Sequence, residues 1–510
     1  MSKSLLRNFF FVVSLLTTQL LSAVTYYVSP TGTGTGTIAS PMAFSTAIGK
    51  SLTAGDSLIL RGGTYSLSSK QGYTKSGSSV NYIHIVAYKG ETPILDFRNE
   101  TYGSSYPGVS LSGSYVHIKG LTIQGAGDNG MIVSGSYNFI ENCTFRWNCD
   151  SGLQMKTGSN NYILNCDSYE NFDYESSTIG GNADGFADKQ YENTGLNKYK
   201  GCRSWRNSDD GWDHYEKIGN TQYDSCWCYA NGPASYDMKN HIRFKTDSAA
   251  YFVKFASTNY VITNKGNGNG FKLGGNYTAH NATLHDCISV LNTVKGFDQN
   301  NDNGTMTIYN CTGYMNSPDY GFSNSSYGSL VIKNSATLAS KSSNKFAAKT
   351  TTNINNSWST GFSCTTSDFL SLDYTQMLNA RQEDGSLPEI TFLHLKSTST
   401  MIDKGLDLGY SFAGTAPDLG AFEYGVNTAV ENVKYNSKLQ YAYNRSERSI
   451  TILQQVNKVK VIDITGKVMT DFNTSDYNCR LNTSNWTQGI YIITVITTDG
   501  ILISDKVYVY

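Results

Sequence analysis

The chain has 510 residues, long enough for a large core and a further domain. Its 40 Lys and Arg against 41 Asp and Glu give a net charge of -1, which excludes a basic nucleic-acid footprint and confines any charge-based function to a local cluster. With 48 Gly, 36 Tyr and only 8 Pro, the composition suits many short strands and turns, so the expected class is all-β.

The first 23 residues, MSKSLLRNFFFVVSLLTTQLLSA, place Lys3 and Arg7 before an apolar run at 9–16 and end on Ser22 and Ala23. That is the layout of a cleaved export signal, and the run is too short to cross a bilayer. A buried N-terminal helix is the alternative. No later stretch approaches a membrane span, so the mature protein is expected outside the cytoplasm with no membrane span.

From residue 130 onward two markers recur. One is a cysteine in a constant setting, at Cys143, Cys166, Cys202, Cys226, Cys287 and Cys311, with steps of 23 residues from 143 to 166 and 24 from both 202 to 226 and 287 to 311. The other is a Gly followed by a large apolar residue, as in Gly130-Met131, Gly152-Leu153, Gly185-Phe186, Gly211-Trp212, Gly270-Phe271, Gly296-Phe297 and Gly321-Phe322. A fixed period near this length with alternating strands and no helical periodicity points to a parallel β-helix. The cysteines then read as small core residues in an internal stack, because zinc sites use short Cys-x-x-Cys pairs that this spacing lacks. Asn142, Asn165 and Asn310, each just before its cysteine, are expected to form a side-chain ladder at a turn.

Breaks in the period locate insertions. The gap from Cys226 to Gly270 is 44 residues where 9 is usual, so a long loop at about 231–265 lies inside one coil and leaves Gly270 one rung beyond Gly211. A smaller excess places another loop near 173–181. Long loops on one side of a solenoid commonly build its binding face.

Between these loops the segment NSDDGWDHYE crowds Asp209, Asp210 and Asp213 into five residues. If the apolar residue after each Gly points inward, the next residue points outward. Those outward positions read Gln154, Ala187, Asp213, Lys272 and Asp298 down successive coils. Asp184, Asp209, Asp210 and Asp213 are therefore expected to converge on one patch of the outer surface, with Lys272 one rung, roughly 4.8 Å, from Asp213. Four carboxylates so close repel unless protons or a cation intervene, and an all-oxygen set suits Ca²⁺. A solvated acidic turn is the alternative. His214 points inward by alternation and reads as a packed core histidine; Asp188 and Lys189, at the edge of the first acidic motif, have no assigned role. Arg243 and Lys245, in the long loop, read as solvated loop charges or as contacts to substrate carboxylates, and Asp298 as a possible lining of the groove.

Beyond residue 425 the composition shifts through a linker into alternating apolar strands, with Asp499-Gly500 as a hairpin turn. A small β-sandwich is expected at 437–510. The resulting division is an export signal at 1–23, a β-helix domain at 24–425, a linker at 426–436 and the sandwich at 437–510.

The stretches GNADGFADK (181–189), SDDGWDHYE (208–216) and GNGNGFKLGG (266–275) resemble those of polysaccharide lyase family 9, the pectate lyase L type of right-handed parallel β-helix. TYYVSPTGTGT, LTAGDSLILRGGTYSL and APDLGAFEYG are similar to the start and end of such extracellular helices, so the likeness spans about 24–425. By this resemblance Asp184, Asp209, Asp210 and Asp213 are calcium ligands and Lys272 is the Brønsted base. The tail resembles the C-terminal sorting domain of type IX secretion, which implies release or surface attachment; an accessory sandwich is the other reading.

The expected chemistry is β-elimination from a pectic polymer. Removing the C5 proton of a uronate builds charge on the adjacent carboxylate, which calls for a cation there and a base at C5. Homogalacturonan (polygalacturonate) is the first-choice substrate and the rhamnogalacturonan backbone the rival. The protein is expected to act as a monomer. A hydrolase with paired aspartates is disfavoured because no Gly-His-Gly or Arg-Ile-Lys is present. A non-catalytic, calcium-stabilised pectin-binding protein is the non-enzymatic alternative.

Overall fold

The computed structural model describes residues 23–191, 195–243 and 260–425, and in the C-terminal part residues 439, 441–444, 448–452, 456–463, 467–474, 479–497 and 502–509. The expected export signal except Ala23, the linker, Lys245 and the Asp499-Gly500 turn lie outside the described residues. The chain divides into two compact units, Met1–Gly425 and Val426–Tyr510. Among the described residues no helix is long and apolar enough to cross a membrane.

The first unit is a right-handed parallel β-helix of three sheets, with twelve, ten and ten parallel strands. Each full coil contributes one strand to each. Phe139–Glu141, Thr144–Arg146 and Leu153–Met155 are one such set, in the first, second and third sheet respectively. The interior is filled by like-on-like stacking, since register repeats the same inward position at every rung. In the third sheet Phe186, Trp212, Phe271, Phe297 and Tyr320 stack with ring centroids 4.9, 4.7, 5.3 and 5.0 Å apart. Each such pair adds about 0.5–1.5 kcal/mol beyond its area burial. The seventh Gly-apolar marker departs from the expected register: Phe297 pairs with Tyr320, not Phe322.

The six periodic cysteines form a dry column of free thiols, at most 1% exposed. Asn142, Asn165 and Asn310 occupy the left-handed turn between the first and second sheets, with φ of 52°, 54° and 49°; Gly201, Ser225, Asp286 and Asn334 take the same place in other coils. No ladder links the first three to one another. The asparagine ladder runs instead at the next corner, through Asn148, Asn171, Asn207, Asn231, Asn292 and Asn316, each accepting from the backbone N–H and side-chain amide of the one before it. The residues preceding these asparagines, Trp147, Glu170, Arg206, Ala230, Leu291 and Met315, all have φ between 51° and 59°. That conformation costs L-residues about 1–2 kcal/mol, which the ladder bonds offset.

The coil strands end at Thr350–Ile354. Residues 355–425 form an arm whose Phe369, Met377, Phe392, Met401 and Leu419 cover Trp227, Ile288, Val290 and Tyr314 of the second sheet. Arg381 of the arm and Arg203 of the coil both clamp Asp167, at 2.7 and 2.8 Å.

In the long insertion, Ser235–Asp237 and Val261–Thr263 pair as an antiparallel ribbon. Tyr236 stacks on Phe172, 4.3 Å between centroids, so this insertion packs against the shorter loop. Arg243 is neither a solvated charge nor open to substrate. It is buried, donating to the carbonyls of Gly125 and Glu100 at 2.8 Å and to Tyr174 Oη at 3.1 Å.

The second unit is an antiparallel sandwich. One sheet joins Tyr441–Asn444, Ser449–Ile452 and Arg480–Asn482; the other joins Val468–Asn473, Val456–Asp463, Gly489–Thr497 and Leu502–Val509. Ile450, Val459, Val461, Ile493, Val495 and Val507 fill the space between.

Candidate active site

The third sheet pairs Gln154 with Ala187, Ala187 with Asp213, Asp213 with Lys272 and Lys272 with Asp298, the ladder expected from the Gly markers. Asp184 ends the turn before Phe186–Asp188, and Asp209 and Asp210 end the corresponding turn one coil later, just after ladder residue Asn207. Carboxylate oxygens of Asp184, Asp210 and Asp213 lie within 4.8 Å of one another. Asp209 stands beside this trio, its Oδ1 accepting from the Asn267 N–H at 2.6 Å.

The cluster is more enclosed than an outer-surface patch. Asp184 and Asp210 are fully buried, Asp209 and Asp213 nearly so, and Lys272 is 9% exposed. Segment 266–269 closes over it: the Asn269 N–H and side-chain amide both donate to Asp210 Oδ1 at 2.8 Å. This approach depends on glycine, because Gly268 has φ of 71° and a Cβ there would stand 2.4 Å from the Gly232 Cα.

Two lysines face the carboxylates. Lys272 Nζ is 3.0 Å from Asp210 Oδ2 and 3.2 Å from Asp213 Oδ1. Lys189 Nζ is 2.7 Å from Asp213 Oδ2 and 3.0 Å from Asp184 Oδ2. Lys189 had no role from the sequence, yet alternation from outward Ala187 would have aimed it at the same face. With all four carboxylates ionised, the two ammonium groups leave two negative charges, which one divalent cation balances. Asp210 Oδ2 meets Lys272 off hydrogen-bond geometry and has no hydrogen-bond donor among the described residues. All-oxygen donors, a twofold charge deficit and this open lone pair fit Ca²⁺.

Protonation follows from the crowding. Burial first, then Asp210, pushes Asp209 up to about 7. Asp184 and Asp210 are also raised, by burial above all. Asp213 is buried too, but Lys189 and Lys272 hold it below the usual carboxylate range. Burial works against the charge on Lys272, and Asp210 and Asp213 outweigh it, so its pKa stands well above an ordinary lysine's.

His214 is a core residue, as its alternation implied. Its Nδ1–H donates to the Lys272 carbonyl at 2.9 Å, since a carbonyl only accepts, and Nε2 accepts a hydrogen bond from the Tyr223 hydroxyl. His280 is stacked on it at 4.5 Å and donates to the Leu273 carbonyl. The carbonyls of Lys272 and Leu273 are thus both held from inside the coil. Asp188 also points inward, into a buried ion pair with Lys217 at 2.7 Å. Asp298 is engaged by Lys295 at 2.8 Å.

Residues 26–344 match the family model described as Pel9A-like, right handed beta helix region, and residues 443–509 match the secretion system C-terminal sorting domain. Pectate lyase L of Dickeya dadantii is 36% identical over 427 residues, which cover 80% of this chain and 92% of that protein. Pectate lyase L of Paenibacillus polymyxa is 32% identical over 377 residues, covering 70% and 77%. The crystal structure of pectate lyase Pel9A superimposes with a TM-score of 0.68 at 34% identity, over 79% of this chain and 97% of that one. A rhamnogalacturonan lyase shares the fold, with a TM-score of 0.57 at 22% identity over 74% and 97%. Fold, site and relatives define a polysaccharide lyase. The chain belongs to the Pel9A-like right-handed β-helix family, and its sorting domain marks it for type IX secretion to the cell surface or beyond.

Proposed function

We propose that the protein is a secreted, calcium-dependent pectate lyase that cleaves homogalacturonan by β-elimination. Asp184, Asp209, Asp210 and Asp213 hold the cation and Lys272 takes the C5 proton. Supporting this most directly is the pairing of Lys272 with Asp213 across one rung of the third sheet, its Nζ 3.2 Å from Asp213 Oδ1. Ca²⁺ bound by these oxygens supplies positive charge for the substrate carboxylate, on which charge builds as the proton leaves. The strand and the His214 bond to its carbonyl hold the Lys272 backbone, and Asp210 and Asp213 hold Nζ at 3.0 and 3.2 Å. A lysine accepts a proton only when neutral. Activity therefore requires relief of the aspartate field on Nζ and leans alkaline. Lys189, 22% exposed, is the more open ammonium group and can contact a sugar carboxylate.

In the same reading residues 1–23 are a removed export signal, 24–425 the lyase domain, 426–436 a linker and 437–510 the sorting domain, and the active species is the monomer. The test incubates purified protein with polygalacturonate and with rhamnogalacturonan, with and without a chelator, and follows the ultraviolet absorbance of the unsaturated product. A calcium-dependent rise on polygalacturonate is expected. A rise on rhamnogalacturonan alone reassigns the polymer, and reducing ends without absorbance reject elimination.

A further inference from the structure

A second group of metal-ligating side chains lies at another corner of the coil, between the first and second sheets. Asp224 and His285 are register partners on neighbouring strands, Gly219–Asp224 and His280–His285. Asp286 follows in the left-handed turn position, with φ of 54°. One ligand atom from each of Asp224, His285 and Asp286 lies within 4.8 Å of the other two. His285 Nδ1 is 3.3 Å from Asp286 Oδ2. None of these residues contacts the acidic tetrad or its lysines.

The arm closes this corner. Tyr410 stacks on the His285 ring at 3.7 Å between centroids. Between arm and coil remains a cavity of about 20 Å³, lined by His285, Asp286, Asn310, Tyr410, Pro417 and Glu423. That is room for one water-sized body among polar groups.

Asp224 is held by Lys200, 2.7 Å from its Oδ2, and its Oδ1 accepts from Ser225 Oγ at 2.8 Å. An imidazole and two carboxylates converging beside a cavity of single-ion size suit a divalent cation. A mixed nitrogen and oxygen donor set selects a borderline ion such as Zn²⁺ over Ca²⁺, which prefers oxygen alone.

We propose that Asp224, His285 and Asp286 form a Zn²⁺-class site at this corner. The site lies where the arm, whose other face covers the second sheet, meets the coil. This site does not depend on the assignment of the tetrad.

The full chain is stripped with chelator, given excess Ca²⁺ to occupy all-oxygen sites, and equilibrated with micromolar Zn²⁺. Bound zinc is then counted, and X-ray absorption reads its ligands. One zinc per chain is expected, with an imidazole nitrogen among its ligands, together with a higher melting temperature. His285→Asn and Asp286→Asn should each weaken binding about tenfold or more, with calcium-dependent lyase activity kept. No retained zinc, or a bound zinc without imidazole, overturns the proposal. So does undiminished binding in both variants. The absorption spectrum decides on the wild-type protein even if one variant fails to fold.

Discussion

Replacing Lys217 by Met strands the Asp188 carboxylate inside the coil. Both side chains are fully buried, and Lys217 Nζ lies 2.7 Å from Asp188 Oδ1 and 2.7 Å from Gln190 Oε1. Removing one half of a buried pair costs about 3–5 kcal/mol, because the remaining charge has lost its counter-ion and cannot reach water. Asn197 Nδ2 still donates to both Asp188 oxygens, each at 3.2 Å, which places the expected loss near the lower end, about 3 kcal/mol. Against a total stability of roughly 5–15 kcal/mol this is a large fraction. Guanidinium unfolding followed by intrinsic fluorescence measures it, with Trp212 as an interior reporter stacked between Phe186 and Phe271. Lys217→Met, Asp188→Asn and the double variant complete a cycle in which the double recovers about 2 kcal/mol or more relative to the sum of the singles. A loss below about 1 kcal/mol for Lys217→Met, or strict additivity, would refute the buried-pair account.

Other outcomes concern the acidic site. Lys272→Ala should lower kcat by about 100- to 10,000-fold with little change in KM. Calorimetry should show it binding Ca²⁺ more tightly than wild type, since Nζ no longer competes for Asp210 and Asp213; weaker binding contradicts the pairing. In calcium-free protein the folded state keeps a proton on Asp209, raised to about 7, that the unfolded chain gives up above 3.8, so this group subtracts stability as pH rises through that interval. Melting curves of Asp209→Asn should therefore gain on wild type from pH 4 to 8 in chelator and not in Ca²⁺; a gap that shrinks with pH sinks the claim. Asn207→Ala removes ladder bonds at the turn that carries Asp209 and Asp210, at a cost of about 1–3 kcal/mol. It should weaken Ca²⁺ about tenfold, while Asn316→Ala, farther along the ladder, costs stability with calcium affinity unchanged.

The sequence made the coil legible because a solenoid repeats one local problem. Marker spacing alone put Lys272 beside Asp213, across an insertion of more than thirty residues. What it did not disclose depends on contacts between distant segments. Burial of the tetrad arises from 266–269 folding back over 208–213, and no period records that. Arg243 reads as a solvated loop charge until the carbonyls of Gly125 and Glu100 are seen to receive it. Asp188 breaks the apolar inward pattern, and its partner Lys217 lies beyond the next strand. Misplacing the asparagine ladder has another cause: both corners carry Asn, but at the corner between the first and second sheets Gly201, Ser225 and Asp286 interrupt the column, and it is Asn310 and Asn334 whose side chains meet there, at 3.3 Å. At that corner Asn serves for its tolerance of positive φ.

The column of free thiols bears on how long such an enzyme lasts once exported. Six cysteines lie one above another in the dry interior, out of reach of oxidants only while the coil stays wound. Outside the cell any excursion that unwinds it would offer a row of neighbouring sulfurs to oxidation and wrong cross-links. Refolding would then compete with irreversible chemistry, so working lifetime is set by how rarely the coil opens and not by the equilibrium it would reach.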